Sequence, residues 1–229
     1  MNKTIVIPCF NEKKTIIEII NKVKNKLDEK DEIIVVDDYS TDGTREILEN
    51  LKDKSIKVIY HEKNYGKGKA LSTAFKENLK EIVIIQDADL EYNPEDYDLL
   101  LEPFFKTNAE VVYGSRFLGS NKYTRLHFFW HSVANKFLTF FCNLITNLNM
   151  TDMETGFKAF KKDAIKSISI EENSFGVEPE ITIKLAKKKF IFYEVPISYA
   201  GRSYSEGKKI GIKDAFRAIY CILLYGLKR

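Results

Sequence analysis

The chain has 229 residues, 44% of them hydrophobic and 13% aromatic, so it can bury the core of one large domain better than the cores of two small ones. Its 36 basic and 33 acidic residues nearly cancel, and a net charge of +3 excludes nucleic-acid binding as a property of the whole chain. Cys9, Cys142 and Cys221 are few, odd in number and far apart, which fits reduced thiols in the cytosol better than a disulfide framework or a zinc cluster. Thr4 to Pro8 reads as a strand, and Ile16, Ile17, Ile19, Ile20, Val23 and Leu27 then recur at helical spacing. The unit repeats: strand Glu32 to Val36, helix near Thr44 to Leu51, strand Ile56 to His61, helix near Lys69 to Leu79. Strand Ile82 to Gln86, helix near Glu95 to Phe105 and strand Val111 to Gly114 follow. Strands alternating with helices imply parallel pairing with right-handed crossovers.

After Gly114 the rhythm changes to a polar loop around Ser115 to Thr124, a long aromatic-rich segment, and a loop leading into a strand over Thr151 to Phe160. Glu180 to Lys188 reads as a helix, Phe190 to Val195 as a strand, Gly201 to Gly211 as a basic loop, and Ile212 to Leu227 as a closing helix. The expected organisation is one domain over 1–229, with a nucleotide-binding half over 1–114 and an acceptor half over 115–229. The first ten residues lack the apolar length and cleavage site of a signal peptide. No segment reaches the roughly 18 apolar residues of a spanning helix. A cytoplasmic protein is expected, soluble or peripheral on the cytosolic face of a membrane.

The run Ile82 to Gln86 ends in Asp87-Ala88-Asp89, and the run Glu32 to Val36 ends in Asp37-Asp38. Open α/β sheets bind ligands at the carboxyl ends of their strands. Two strands delivering acids there suggest a hard cation with a phosphorylated ligand, since Mg²⁺ favours one or two carboxylates plus substrate phosphates. On an extended chain Asp87 and Asp89 share a side and could hold one ion, or the pair could simply cap the next turn. Ser40 or Asp42 could cap the following helix, and Asp37-Asp38 also fits the phosphoacceptor corner of a receiver domain, although such a domain has about 120 residues.

Asn64-Tyr65-Gly66-Lys67-Gly68-Lys69 places glycines and lysines before a helix, where backbone N–H groups attract anions, although an ordinary basic turn has the same composition. Arg116 could take a phosphate or carboxylate as a planar fork or lie on the surface. Arg202, Lys208 and Lys209 lie in a glycine-bearing loop that could close over a diphosphate or remain a solvated basic loop. The segment from Arg125 through Trp130 to Phe141 fits either an interfacial helix or a core helix, and the last helix, ending in Lys228-Arg229, permits both readings.

Taken in order, these pieces resemble the family 2 glycosyltransferases of GT-A fold, and more closely the polyprenyl-phosphate sugar transferases. The resemblance is carried by Pro8-Cys9-Phe10-Asn11-Glu12, Asp37-Asp38, Asn64-Tyr65-Gly66-Lys67-Gly68, Asp87-Ala88-Asp89-Leu90, Gly114-Ser115-Arg116, Asp152-Met153-Glu154-Thr155-Gly156-Phe157-Lys158 and the Arg202 loop. It implies an α/β GT-A domain with a mostly parallel, Rossmann-like sheet and helices on both faces. It implies that Pro8, Phe10, Glu12, Asp37, Asp38, Lys67, Asp87, Arg202 and Lys208 hold the nucleotide sugar, and that Asp87, Asp89 and Glu91 hold Mg²⁺ or Mn²⁺. Glu91 stands where the family's pattern has glutamine. Arg116 would face an acceptor phosphate, and Arg125, His127, His131 and Ser132 stand where an arginine and a serine for that phosphate are expected.

The expected reaction is an inverting sugar transfer over Asp89 from a nucleoside diphosphate sugar to an acceptor, a polyprenyl phosphate at a membrane surface. A lipid phosphate, with a second pKa of about 6, needs little general-base help. A saccharide hydroxyl would need a base, for which Asp152 and Glu154 are the candidates. An inactive nucleotide-sugar-binding module is the remaining alternative.

Overall fold

The computed structural model describes residues 1–119, 128–202 and 211–228. Its inner strands are short runs buried on both faces, and their period of two sends neighbours to opposite cores. In β1 (Lys3–Cys9), β2 (Glu32–Asp37) and β4 (Ile82–Ile85), one face carries Ile5, Ile7, Ile33, Val35, Ile82 and Ile84. The other face carries Val6, Ile34, Val36, Val83 and Ile85. Against the first face pack α1 (Ile16–Lys24), α2 (Thr44–Glu49) and α4 (Tyr97–Lys106). Against the second pack α3 (Lys67–Ala74), α5 (Phe129–Thr146), α6 (Lys162–Lys166), α7 (Val177–Lys187) and α8 (Ile212–Leu227). The helix stripes follow from spacing: Ile16, Ile19, Ile20 and Val23 form the buried face of α1.

With β3 (Ile56–Tyr60), β5 (Val111–Ser115), β6 (Lys158–Lys161) and β7 (Phe192–Pro196), these strands form one sheet in the order β3-β2-β1-β4-β6-β5-β7. All pairs are parallel except those of β6, which runs antiparallel to β4 and β5. The alternating rhythm concealed this exception, because β6 belongs to the later part of the chain and inserts between two strands of the first half. The insertion has a consequence for the site. Antiparallel β6 puts its amino end on the edge where β1, β2, β4, β5 and β7 have their carboxyl ends. Loops 10–15, 38–44, 86–92, 116–119, 152–157 and 197–202 therefore emerge together.

Several boundaries differ from the sequence reading, among them the end of α3 at Ala74 rather than Leu79 and two helix starts. The α3 helix starts at Lys67 rather than Lys69, and α7 starts at Val177 rather than Glu180. The short α6, directly after β6, carries too few turns for its periodicity to be visible in the sequence.

Candidate active site

The loops after β1 and β2 are stitched to each other by short polar side chains. Ser40 Oγ accepts from the Asn11 N–H (2.9 Å), Asn11 Oδ1 from the Thr41 N–H (2.8 Å), and Thr44 Oγ1 from the Glu12 N–H (3.0 Å). Asn11 and Tyr39 hold positive φ values of 53° and 68°, a conformation uncommon outside glycine. The expected acid pair is buried and engaged. Asp37 Oδ2 accepts from Arg45 Nε at 2.8 Å, and Asp38 accepts from the N–H groups of Tyr65 (2.9 Å) and Gly66 (2.6 Å), with His61 Nδ1 at 2.7 Å. Asp37 and Asp38 thus shape the corner, while Pro8 and Phe10 stand half-buried at the end of β1. Asp42 lies one residue before the Gly43 N-cap of the next helix and accepts from the Thr44 N–H at 3.0 Å.

The glycine-lysine turn does something the sequence did not suggest. A Cβ on Gly66 would lie 2.4 Å from the Asn173 carbonyl oxygen, and one on Gly68 would lie 2.2 Å from that of Glu172. The Lys69 N–H donates to the Asn173 carbonyl at 3.1 Å. These glycines admit the backbone leading into α7, and that backbone takes an N–H of the first turn of α3. Lys67 Nζ lies 2.8 Å from Asp87 Oδ1 and 3.2 Å from Glu178 Oε1. Burial alone would lower the Lys67 pKa, but Asp87 and Glu178 outweigh it and hold the ammonium above the ordinary lysine value.

Asp87 and Asp89 are not on an extended chain. The strand stops at Ile85, residues 88 and 89 form a turn, and Leu90 has φ of 63°. The turn still gathers charge. Burial, then the neighbouring Asp87 and Glu91 carboxylates, push Asp89 up to about 7, with Arg202 pulling the other way. Asp87 is raised too, by burial against the pull of Lys67. Arg202 Nη2 bonds Asp89 Oδ2 at 2.9 Å and Glu12 Oε1 at 3.1 Å. Gly156 closes the floor: a Cβ there would lie 2.3 Å from Asp87 Oδ2, and its N–H donates to the Tyr92 hydroxyl at 2.9 Å.

Asp87, Asp89 and Glu91 do not converge as a ready-made cage, and among the described residues no group of three or more acids, histidines or cysteines is gathered for a metal. Glu91 instead accepts from the Tyr199 hydroxyl at 2.5 Å and the Arg202 N–H at 2.7 Å. Two hard carboxylates raised by burial and by neighbouring acids nevertheless suit a divalent cation whose other ligands come from phosphates.

Arg116 forks onto Asp152, with Nε to Oδ2 and Nη2 to Oδ1 both at 2.7 Å. Its guanidinium carbon lies 5.1 Å from the centre of the Tyr199 ring. Asn135 Nδ2 of α5 donates to Asp152 at 3.0 Å. Burial would raise Asp152, but Arg116 outweighs it and holds the carboxyl below its usual value. Glu154 goes the other way, pushed up to about 7 by burial and by Glu178, and its buried Oε1 has no hydrogen-bond partner. His131 and Ser132 lie half-buried in the first turn of α5, where Ser132 Oγ donates to the Phe128 carbonyl at 3.3 Å. Arg125, His127, Lys208 and Lys209 lie outside the described residues.

A family model described as "Glycosyl transferase family 2" matches residues 4–169. The chain belongs to glycosyl transferase family 2. Among the relatives of this family 2 protein is a UDP-N-acetylglucosamine–dolichyl-phosphate N-acetylglucosaminyltransferase of Methanococcus voltae, 28% identical, the match covering 96% of this chain and 94% of that one. A dolichol-phosphate mannosyltransferase of Pyrococcus furiosus is 28% identical, with 97% of this chain and 64% of the relative covered. Glucosyl-3-phosphoglycerate synthase from Mycobacterium tuberculosis, solved with Mn²⁺, uridine diphosphate and phosphoglyceric acid, superposes with a TM-score of 0.74 at 19% identity, covering 99% of this chain and 78% of that one. The family 2 fold here is GT-A, as the sequence resemblance implied.

Sequence reasoning gave no role to Tyr92, Lys158, Glu178 and Tyr199, which brace the candidate site. Lys158 Nζ is fully buried, donates to the carbonyls of Met153 (3.0 Å) and Thr155, and pairs with Glu178. Only a lysine at the start of β6, and an acid in the first turn of α7, were visible in the sequence.

Proposed function

We propose that this family 2 transferase moves a sugar, with inversion, from a nucleoside diphosphate sugar to a polyprenyl phosphate at a membrane surface, using Mg²⁺ or Mn²⁺. The first half of the chain, joined by Arg202, holds the donor, and the rest of the second half holds the acceptor. The observation that carries the donor side is the convergence of Glu12, Lys67, Asp87, Asp89 and Arg202 on one sheet edge, linked by bonds of 2.8 to 3.2 Å. Pro8 and Phe10 border the nucleoside, with Asp37 and Asp38 setting the loops around it. Asp87 and Asp89 would hold the cation, which when bound offsets charge on the leaving diphosphate. Lys67 favours the ionised form of Asp87 against burial and holds it in place.

The acceptor side is supported by two features. Arg116 lies beside Asn135 of α5 through their shared partner Asp152, and α5 presents an outward apolar stripe of Phe129, Val133, Phe137, Phe140 and Leu144. Phe216, Tyr220, Leu223 and Leu227 form a second stripe on α8, which packs against α5. Two unpartnered apolar stripes suit a headgroup–acyl boundary, and no described helix is long and apolar enough to cross a membrane. An anionic phosphate acceptor also suits Asp152, whose lowered pKa makes it a weak base.

Glu154 favours a second reading, transfer to a saccharide hydroxyl, because a carboxyl near 7 is matched to general-base work at neutral pH. The experiment that decides is transfer from a panel of sugar nucleotides to a short polyprenyl phosphate or to a saccharide, with Mn²⁺ or EDTA, followed by NMR of the product anomer. Metal-dependent inverted product on the lipid phosphate is expected. Product on the saccharide alone selects the second reading, and binding without transfer to either sinks the enzyme reading.

A further inference from the structure

The residue after the acid turn, Glu91, gives its N–H to Asp89 Oδ1 at 3.2 Å and turns its carboxylate and carbonyl to the segment 199–202. Its carboxylate accepts from the Tyr199 hydroxyl at 2.5 Å and the Arg202 N–H at 2.7 Å, and its carbonyl accepts from the Ala200 N–H at 2.9 Å. Tyr92 forms a bridge with Tyr199 beside it. A Cβ on Gly201 would lie 2.7 Å from the Tyr199 ring, so glycine lets the chain fold back over that ring toward Glu91. Held by its backbone, Arg202 turns its guanidinium into the acids, bonding Glu12 (3.1 and 3.2 Å) and Asp89 (2.9 Å). Its Nε is buried without a hydrogen-bond partner, 3.7 Å from Glu91 Oε1. A buried donor left unpaired is rare in a finished network; here it leaves part of the guanidinium fork available to an anion.

We propose that Glu91 is a positioning residue for Arg202 rather than a metal ligand, and that Arg202 is the resident counter-cation of the acid turn. Arg202 releases the carboxylates of Glu12 and Asp89 when the donor binds and turns to the diphosphate, with Glu91 fixing the backbone about which it turns. The charge argument is direct. Glu12, Asp89 and Glu91 surround Arg202, and a cation arriving at Asp89 makes the arginine redundant there just as a diphosphate arrives to need it. A carboxylate at position 91 suits this better than an amide, because it accepts from a hydroxyl and a backbone N–H at once and has no N–H to turn against them.

The inference rests on the donor site proposed above and is tested by binding. Mn²⁺ affinity of the full chain is measured by electron paramagnetic resonance, alone and with uridine or guanosine diphosphate. Diphosphate affinity is measured by calorimetry. Glu91→Gln is expected to leave the affinity for Mn²⁺ alone little changed while weakening the diphosphate about 10- to 100-fold. Tyr199→Phe should weaken it in the same way, and the double variant should be no worse than the more affected single one, since both changes release one anchor. Arg202→Met removes the internal competitor, so Mn²⁺ alone binds it about tenfold more tightly while the diphosphate binds less tightly. This gain cannot arise from misfolding.

Loss of Mn²⁺ in Glu91→Gln as severe as in Asp89→Asn would make Glu91 a ligand and overturn the inference. Unchanged or weaker Mn²⁺ binding in Arg202→Met would overturn it equally. If the wild-type chain binds Mn²⁺ with neither diphosphate, the donor site falls and the inference with it. Wild-type binding combined with either adverse variant result rejects the inference alone.

Discussion

Arg116 and Asp152 face each other through two bonds of 2.7 Å, and the carboxylate side chain has no solvent exposure. A buried pair of this kind matters most when one partner is removed, because the other is left charged and unpaired. Asp152→Ala should therefore cost about 3–5 kcal/mol of stability, read from urea unfolding. The pH dependence has a definite sign. The folded carboxyl lies below its unfolded value, so the pair's contribution is complete above about pH 4 and is lost as the pH falls through the folded value. A variant replacing both residues with apolar ones should regain much of the lost stability while losing transfer to a phosphate acceptor.

Gly156 lies where a single methyl group would collide with Asp87 Oδ2, at 2.3 Å. The backbone can adopt the conformation with a side chain, since its φ is not positive, so the consequence of Gly156→Ala is displacement of the carboxylate. Such a shift in a reacting centre costs on the order of 10²-fold in turnover, against about 1–3 kcal/mol of stability from overpacking. Steady-state turnover beside a urea melt separates the two. Turnover within a few-fold of wild type would remove Asp87 from the donor site.

The parts of this site legible in the sequence are those set by short local rules. Strand endings, the Asp42 bond to the first turn of α2 and the stripe on α1 follow from periodicity and side-chain chemistry over a few residues. The closing helix was placed at the boundaries observed, Ile212–Leu227. What the sequence concealed is non-local. The glycines of the 66–68 turn read as an anion loop or an ordinary basic turn because nothing nearby reveals that residues 172–173 press against them. The acids Asp37 and Asp38 read as free to take a ligand because Arg45, His61 and the 65–66 backbone reach them only after folding. Antiparallel β6 was hidden for the same reason, since pairing direction is decided by strands distant in sequence.

Gly68 offers a test of that distinction. It sits inside α3, where Gly→Ala ordinarily stabilises a helix by about 1 kcal/mol. The Glu172 carbonyl, 2.2 Å from the added carbon, reverses the sign. Gly68→Ala should destabilise by about 1–3 kcal/mol in urea unfolding. A stabilised variant would mean that the segment before α7 does not press on the turn.

Glu154 gives a second pH effect of opposite sign to Asp152. Its folded carboxyl is pushed up to about 7, above its unfolded value, so ionisation costs stability as the pH rises from the unfolded value to about 7. Glu154→Gln removes that cost and should raise stability at pH 8 relative to wild type by up to about 3 kcal/mol, with much less gain at pH 4. The same variant sorts the acceptors. Transfer to a polyprenyl phosphate should survive it, whereas transfer to a saccharide hydroxyl, needing the base, should not.

The apolar stripes give the last prediction. Phe129 and Trp130 are 69% and 76% exposed, and Phe140 and Phe216 are as open as Phe129 or nearly so. Because these rings bury little in the folded chain, replacing them with serine should shift the urea midpoint hardly at all. Burying one such side chain in an apolar phase is worth about 1.5–3 kcal/mol, so each replacement should weaken binding to lipid about tenfold or more. Flotation with anionic liposomes measures this: the wild type should rise with the vesicles, and a variant with Phe129, Trp130 and Phe140 changed to serine should stay at the bottom of the gradient. Equal flotation of the two would show that the stripes do not face lipid. Replacing Leu138 and Cys142, which point from the same helix into the core, should instead lower stability, which separates the two faces of α5 in one pair of measurements.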